Sequence, residues 1–271
     1  MPALTQQQLI QYHQNGFLIL EGLFSPREVL ALKQEMLRLA ALDRPGRVLE
    51  SNGAVRSVFA PHICSEIFNA LAQIPRLVEP VQQILESDIY LHQYKLNSKV
   101  ALDGEEWKWH QDFLYWHKED GMPAPRALNA VIFLEDVNDF NGPLLVIPGS
   151  HREEVVDLTP KQSGWTSTLT ADLKYQIDKQ VLAKIVKDSS IVSIKGVAGF
   201  ALLFHCNLLH ASARNLSPWD RLSVFVSYNS VENTLRNIES PRPEFISSRD
   251  FTPIQPISDQ ALLMVTVPHN S

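Results

Sequence analysis

No stretch of this sequence reaches the roughly 18 consecutive apolar residues that a membrane-spanning helix requires. The first ten residues carry neither a basic segment nor an apolar core of the signal-peptide kind. A soluble, cytoplasmic protein without a membrane partner is therefore expected. Cysteine is scarce: Cys64 and Cys206 are the two in 271 residues, too few for a disulfide scaffold and not in a zinc-like CxxC spacing. Long basic runs are missing and the formal net charge is −6, which argues against binding nucleic acid and suits a small neutral or zwitterionic ligand. Repeats and low-complexity tracts are absent as well. With 45% hydrophobic and 20% charged residues, the chain can bury a sizeable core. Monomer and homodimer are both compatible with this composition.

Residues 1–88 read as mostly helical. Thr5 with Gln8, and Ser25-Pro26 with Glu28, are capping boxes that start helices, and Gly16 closes the first. Val29, Leu30, Leu32, Met36, Leu37 and Leu39 then recur at helical spacing. Further helices are expected near 64–73 and 75–86. The pattern changes at 89. Segments 89–99, 126–134, 144–147, 191–194, 199–204 and 222–228 are short, aromatic or β-branched, and bounded by Gly, Pro, Asn or Asp. Several short strands at short intervals imply a sandwich or barrel over 89–230. The polar insertion 151–190, with a helical stretch near 178–187, has the length of a lid or binding loop. Residues 231–271 form a C-terminal extension of what reads as one domain, 1–271.

The chemistry-bearing residues are histidines and carboxylates. A mononuclear iron that must accept a bidentate cosubstrate and dioxygen keeps three positions open, so protein supplies three ligands, two imidazoles and one carboxylate. On an extended strand, residues two apart share a side, which makes His-x-Asp/Glu the local signature. Three such triplets occur: His110-Gln-Asp112, His117-Lys-Glu119 and His151-Arg-Glu153. The second runs into a turn and the third follows the Pro148-Gly149-Ser150 turn, where a solvated loop is expected. His110 and Asp112 follow the alternating Trp107-Lys-Trp109 and are the preferred pair. Either His205 or His210 could complete the set. His210 is followed eleven residues later by Arg221-Leu-Ser223, and a buried Arg can hold a carboxylate in a bidentate fork, with a Ser hydroxyl beside it. Taken singly, His210 reads better as a satisfied core residue and Arg221 as a surface charge. Together with His110 and Asp112 they make a site.

The run Trp109–Pro123, Pro125-Arg-Ala127, Asn141-Gly-Pro-Leu144 and Ile147-Pro-Gly-Ser-His151 resembles the phytanoyl-CoA dioxygenase superfamily. Within it, the resemblance is to the branch acting on small amino-acid-like molecules, which includes ectoine hydroxylase and the free L-leucine 5-hydroxylases. It extends from about Thr5 to about Pro253 and is most specific over 109–151. It implies a mainly β fold with flanking α-helices: a cupin-like double-stranded β-helix, or jelly roll, with N-terminal helices packed on one sheet. It implies Fe(II), 2-oxoglutarate and O2 as cofactors, His110, Asp112 and His210 as metal ligands, and Arg221 as the 2-oxoglutarate anchor assisted by Asn97 and Ser223. Gln93 and Trp116 match substrate-lining positions. Trp109 and Asn129 stand where ectoine hydroxylase usually has Phe and Ser.

By the same resemblance the reaction is hydroxylation, since related halogenases lack a carboxylate at the position of Asp112. The substrate placed first is a free aliphatic amino acid, L-leucine at C5, with methionine sulfoxidation as a variant. An ectoine-type hydroxylase of a cyclic amino acid comes second, and a non-catalytic jelly-roll binding protein third. Asn129, Arg126 and Asp120 are candidates for holding polar groups of the substrate. Gln93, Asn97 and Trp116 read equally well as satisfied core.

Overall fold

The computed structural model describes residues 3–153, 164–169, 173–175, 177–187 and 189–264. The Thr5 box starts α1 (Gln6–Asn15) with both of its hydrogen bonds formed, and Gly16 ends it at φ +79°. Any Cβ at Gly16 would come within 2.4 Å of His151 Nδ1, so close approach and backbone conformation both require glycine there. β1 (Phe17–Leu20) follows, and then α2 (Pro26–Ala41), opened by the complete Ser25/Glu28 box. β2 (Arg47–Leu49), β3 (Val55–Phe59), α3 (Glu66–Leu71) and α4 (Pro75–Leu85) complete the N-terminal part. Its helices stand where their caps and periodicity put them. The three strands are a correction to the mostly helical reading of 1–88: they are too short for alternation to register, and partners far along the chain make them strands.

The remaining elements are β4 (Ile89–Lys99), β5 (Trp107–His110), α5 (Asp112–Tyr115), β6 (Ala127–Phe133), β7 (Leu144–Val146), α6 (Lys179–Lys187), β8 (Val192–Ser193), β9 (Ala201–His205), β10 (His210–Ser212), β11 (Arg221–Ser230) and α7 (Ala261–Met264). Seven strands form one antiparallel sheet in the order β1-β9-β6-β11-β4-β3-β2, and four form the other, β5-β10-β7-β8. The two sheets are those of a double-stranded β-helix with helices packed on the larger one.

Alternation along β6 shows how the sequence builds these layers. Leu128, Ala130 and Ile132 face the helices, in a cluster with Leu32, Met36 and Leu39 of α2 and Leu77, Val78 and Val81 of α4. Val131 and Phe133 face the other way, packing with Val146, Leu202, Phe204 and Phe225. Burial on both sides explains why β6 reads as a nearly continuous apolar run. Each Leu-sized side chain so buried contributes about 1.5–3 kcal/mol. Asn129 interrupts this run on the same side as Val131.

His62 links this core to pH. Its ring stacks on Tyr94 at a centroid distance of 5.4 Å. Burial, followed by the nearby Arg44, pushes its pKa down to about 4. The unfolded chain, with an ordinary histidine pKa near ~6.5, binds the proton first as pH falls. The His62 contribution to stability is therefore present above ~6.5 and lost as pH drops through about 4. Denaturant unfolding at pH 7 and at pH 4.5 should show His62→Phe losing about 1–2 kcal/mol less than the parent over that interval. Equal losses would show that His62 does not carry the effect.

Candidate metal centre

His110 ends β5 and His210 begins β10, and the two are paired in register across the antiparallel ladder. Their rings approach to 4.1 Å between centroids. Asp112 lies just beyond, at the first position of α5 rather than on a strand. The strand ends at His110, yet Gln111 is still extended at φ −117°, ψ 128°. The residue between the two decides whether they share a side, and it keeps them together. One ligand atom from each of His110, Asp112 and His210 lies within 4.8 Å of the others. His110 Nε2 is 3.6 Å from Asp112 Oδ1, and His210 Nε2 is 3.7 Å from Asp112 Oδ2.

The backbone orients both imidazoles. His110 Nδ1 meets the Lys108 carbonyl at 2.7 Å, and His210 Nδ1 meets the Leu208 carbonyl at 3.0 Å. A carbonyl only accepts, so each Nδ1 carries the hydrogen and each Nε2 keeps its lone pair for the centre of the cluster. Burial, then His210, pushes the His110 pKa down to about 3. Burial alone would raise the Asp112 carboxyl, but His210, Lys95, His110 and Asn129 together hold it below its usual range. Two imidazoles and a carboxylate fit a non-haem iron with open positions.

Two cavities adjoin at this cluster. One is lined by Lys95, Asn97, His210, Ser212 and Arg221, among others. Arg221 opens β11, opposite Lys99 of β4, and is 2% exposed. Its Nε and Nη1 have no hydrogen-bond partner among the described residues, and burial pushes its pKa down to about 10. An orphaned guanidinium beside the cluster matches the far carboxylate of 2-oxoglutarate. Asn97 accepts a hydrogen bond from Ser57 at 2.7 Å and faces this cavity. Ser223 does not line it: its hydroxyl points toward the Asn97 carbonyl at 3.5 Å. Ser212, two residues beyond His210 and with a hydroxyl that has no partner among the described residues, is the serine in its lining.

The second cavity contains Gln93, Lys95, Trp107, Tyr115, Trp116 and Arg242 together with His110 and Asp112. Gln93 and Trp116, expected on the substrate side, are among the residues lining this cavity. Arg126 does not: it forms an exposed pair with Glu232 at 2.6 Å. The turn before β6 carries it outward. Asp120 is buried and lines neither cavity; Arg242 Nε and Nη2 donate to its two oxygens at 2.8 and 2.6 Å. Burial would raise the Asp120 carboxyl, but Arg242 and His92 hold it well below the usual range. Asn129 lines neither cavity and donates to Asp112 instead.

The other two His-x-acid triplets are not part of the cluster. His117 bonds to the Met122 carbonyl, while Glu119 receives Lys174 and Tyr175. His151, expected in a solvated loop, packs instead near Gly16, with Nε2 at 3.2 Å from the His13 carbonyl. From the 151–190 insertion, Thr168, Leu169 and Leu173 reach the second cavity, and Tyr175 is tied to Tyr115 by two hydrogen bonds. Residues 154–163, 170–172, 176 and 188 of that insertion lie outside the described residues.

Sequence reasoning missed Lys95, Ser212 and Arg242. The first two were within reach of the rule that found His110 and Asp112, since Lys95 lies midway between Gln93 and Asn97, and Ser212 two residues past His210. Arg242 lies in Pro241-Arg-Pro-Glu244, a part of the family resemblance to which no role was attached, and its place depends on Asp120, 122 positions away.

A profile of the phytanoyl-CoA dioxygenase (PhyH) family matches residues 12–223. The ectoine dioxygenase of Bordetella bronchiseptica is 40% identical over 96% of this chain and 88% of its own length. The L-proline trans-4-hydroxylase of Streptomyces griseoviridis is 36% identical over 93% of this chain and 96% of its own. Crystal structures of EctD from S. alaskensis cover 95% of this chain. The form with bound Fe superimposes with a TM-score of 0.81 at 33% identity over 89% of that chain. The form with 2-oxoglutarate and 5-hydroxyectoine gives 0.80 at 34% over 87%. No helix among the described residues is long and apolar enough to cross a membrane.

Proposed function

This chain belongs to the phytanoyl-CoA dioxygenase family and is an iron- and 2-oxoglutarate-dependent hydroxylase; from that premise we propose that it hydroxylates a compact cyclic amino acid of the ectoine or proline kind. His110, Asp112 and His210 hold the metal, and Arg221, with Asn97 and Ser212 alongside, receives 2-oxoglutarate. When bound, the iron and its cosubstrate supply the oxidising power; the protein positions one C–H bond and keeps water away. The non-catalytic alternative is set aside.

The observation that carries the substrate reading is the pairing of Arg242 with Asp120 in the wall of an aromatic cavity. Asp120 takes Nε and Nη2, and Nη1 remains outside that pair. An Arg locked in this way offers a fixed donor to a substrate carboxylate, while Trp107, Tyr115 and Trp116 form flat walls suited to a small ring. Related enzymes at 40% and 36% identity carry names for ectoine and L-proline, both compact rings. Leucine or methionine, placed first on the sequence alone, becomes the second reading. Leu169 and Leu173 favour it, since they give the same cavity an aliphatic side.

Succinate release with Fe(II), 2-oxoglutarate and a panel of ectoine, L-proline, L-leucine and L-methionine tests this order. Stimulation by a cyclic member is expected. Stimulation by leucine or methionine alone would reverse the two readings. Arg242→Lys should raise the KM for the amino acid about 10- to 100-fold, because a point charge replaces a held fork. The KM for 2-oxoglutarate should move less than about threefold. A change confined to 2-oxoglutarate would place Arg242 in the other cavity.

A further inference from the structure

We propose that Asn129 is a positioning residue for the metal-binding carboxylate and not a wall of the substrate cavity, an inference that rests on reading His110, Asp112 and His210 as metal ligands. Asn129 is 1% exposed, in the interior strand β6, between apolar neighbours. A buried amide in such a strand needs partners for both of its ends. Its Nδ2 donates to Asp112 Oδ2 at 2.7 Å. Its Oδ1 accepts from the Ser227 hydroxyl at 2.5 Å, and Ser227, also 1% exposed, stands directly opposite it in the β6–β11 register.

The two bonds set the direction of the amide. A carboxylate that serves as a metal ligand only accepts, and the NH2 end of Asn129 is the end that faces Asp112. The oxygen end is then left for a donor, and the Ser227 hydroxyl is one. Because Asn129 and Ser227 lie on paired strands in the middle of the larger sheet, the amide cannot turn without breaking a buried bond.

The consequence concerns how Asp112 binds a metal. A carboxylate has two oxygens and can chelate through both, occupying a position that a cosubstrate or oxygen needs. A hydrogen bond held on Oδ2 opposes rotation of the group and disfavours chelation through both oxygens. Asn129 thereby keeps Asp112 a one-position ligand without touching substrate, and Ser227 keeps Asn129 in place.

Cobalt(II) titration of the full chain, followed by its visible absorption, tests this without turnover. Asn129→Leu should weaken Co(II) binding about 10- to 100-fold, the range for partners of metal ligands, and shift the absorption band. Ser227→Ala, which removes one hydroxyl, should act in the same direction by about 3- to 10-fold; it carries the test where Asn129→Leu does not fold. With Fe(II) and 2-oxoglutarate, both variants should form more succinate per hydroxylated product, with the KM for substrate changed less than about threefold. Co(II) affinity within about twofold of the parent, with an unchanged band in both variants, overturns the proposal. So does a raised substrate KM with intact metal binding. Asp112→Ala, titrated in parallel, separates the levels. Unchanged affinity in that variant removes the metal site and this inference together, whereas weakened binding there with unaffected Asn129 and Ser227 variants removes the inference alone.

Discussion

Replacing Asp112 with alanine is expected to lower substrate-stimulated succinate release by at least about 10³-fold, on the order of 4 kcal/mol of lost stabilisation. The size follows from how much converges on this carboxylate. Its oxygens lie 3.6 and 3.7 Å from the Nε2 atoms of His110 and His210. Lys95 and the Asn129 amide also depend on its charge. Alanine removes the one anionic ligand and leaves two imidazoles beside the half-buried Lys95, a poor site for a divalent ion. Metal titration and succinate assays on the same preparation check the result. Activity within about tenfold of the parent would move the metal to other residues.

Arg221→Leu is expected to raise the KM for 2-oxoglutarate about 10²- to 10³-fold, the usual penalty for deleting one partner of a buried charged pair. Arg221→Lys should retain part of the affinity, because a single ammonium cannot reproduce a planar fork. A second consequence separates a ligand anchor from a structural residue. Two guanidinium nitrogens of Arg221 are buried without partners among the described residues, and burial weakens its hold on the proton. Ligand-free protein therefore carries an uncompensated desolvation cost, and removing the charge should leave its melting temperature unchanged or higher. The parent should gain thermal stability from added 2-oxoglutarate, and Arg221→Leu should not. A drop in ligand-free stability combined with a normal 2-oxoglutarate KM would make Arg221 structural.

Much of this was legible because it is local. Capping at Thr5 and Ser25 involves residues three apart, and both boxes form as written. The span of β4 coincides with the segment read from residue type and its bounding turns. His110 and Asp112 were found by a rule of side-chain alternation that needs only one extended residue between them. The same rule fails for β1, β2 and β3. Strands of 4, 3 and 5 residues hold too few alternations, and only their partners in the sheet make them visible.

Residue types and their spacing by themselves marked a β-rich segment over 89–230 and His110, Asp112, His210 and Arg221 as candidates, and the family resemblance added the dioxygenase reading. Tertiary structure alone decided what surrounds that set. Asn129 meets Asp112 and Ser227, Arg242 meets Asp120, Ser212 replaces Ser223 at the cavity, and Arg126 goes to the surface with Glu232. The physical reason is the range of the interactions. A cap or an alternation is fixed within a few residues by backbone geometry. A buried amide or guanidinium takes whichever partner the strand register and packing bring to it, and that partner lies 98 positions away for Ser227 and 122 for Asp120.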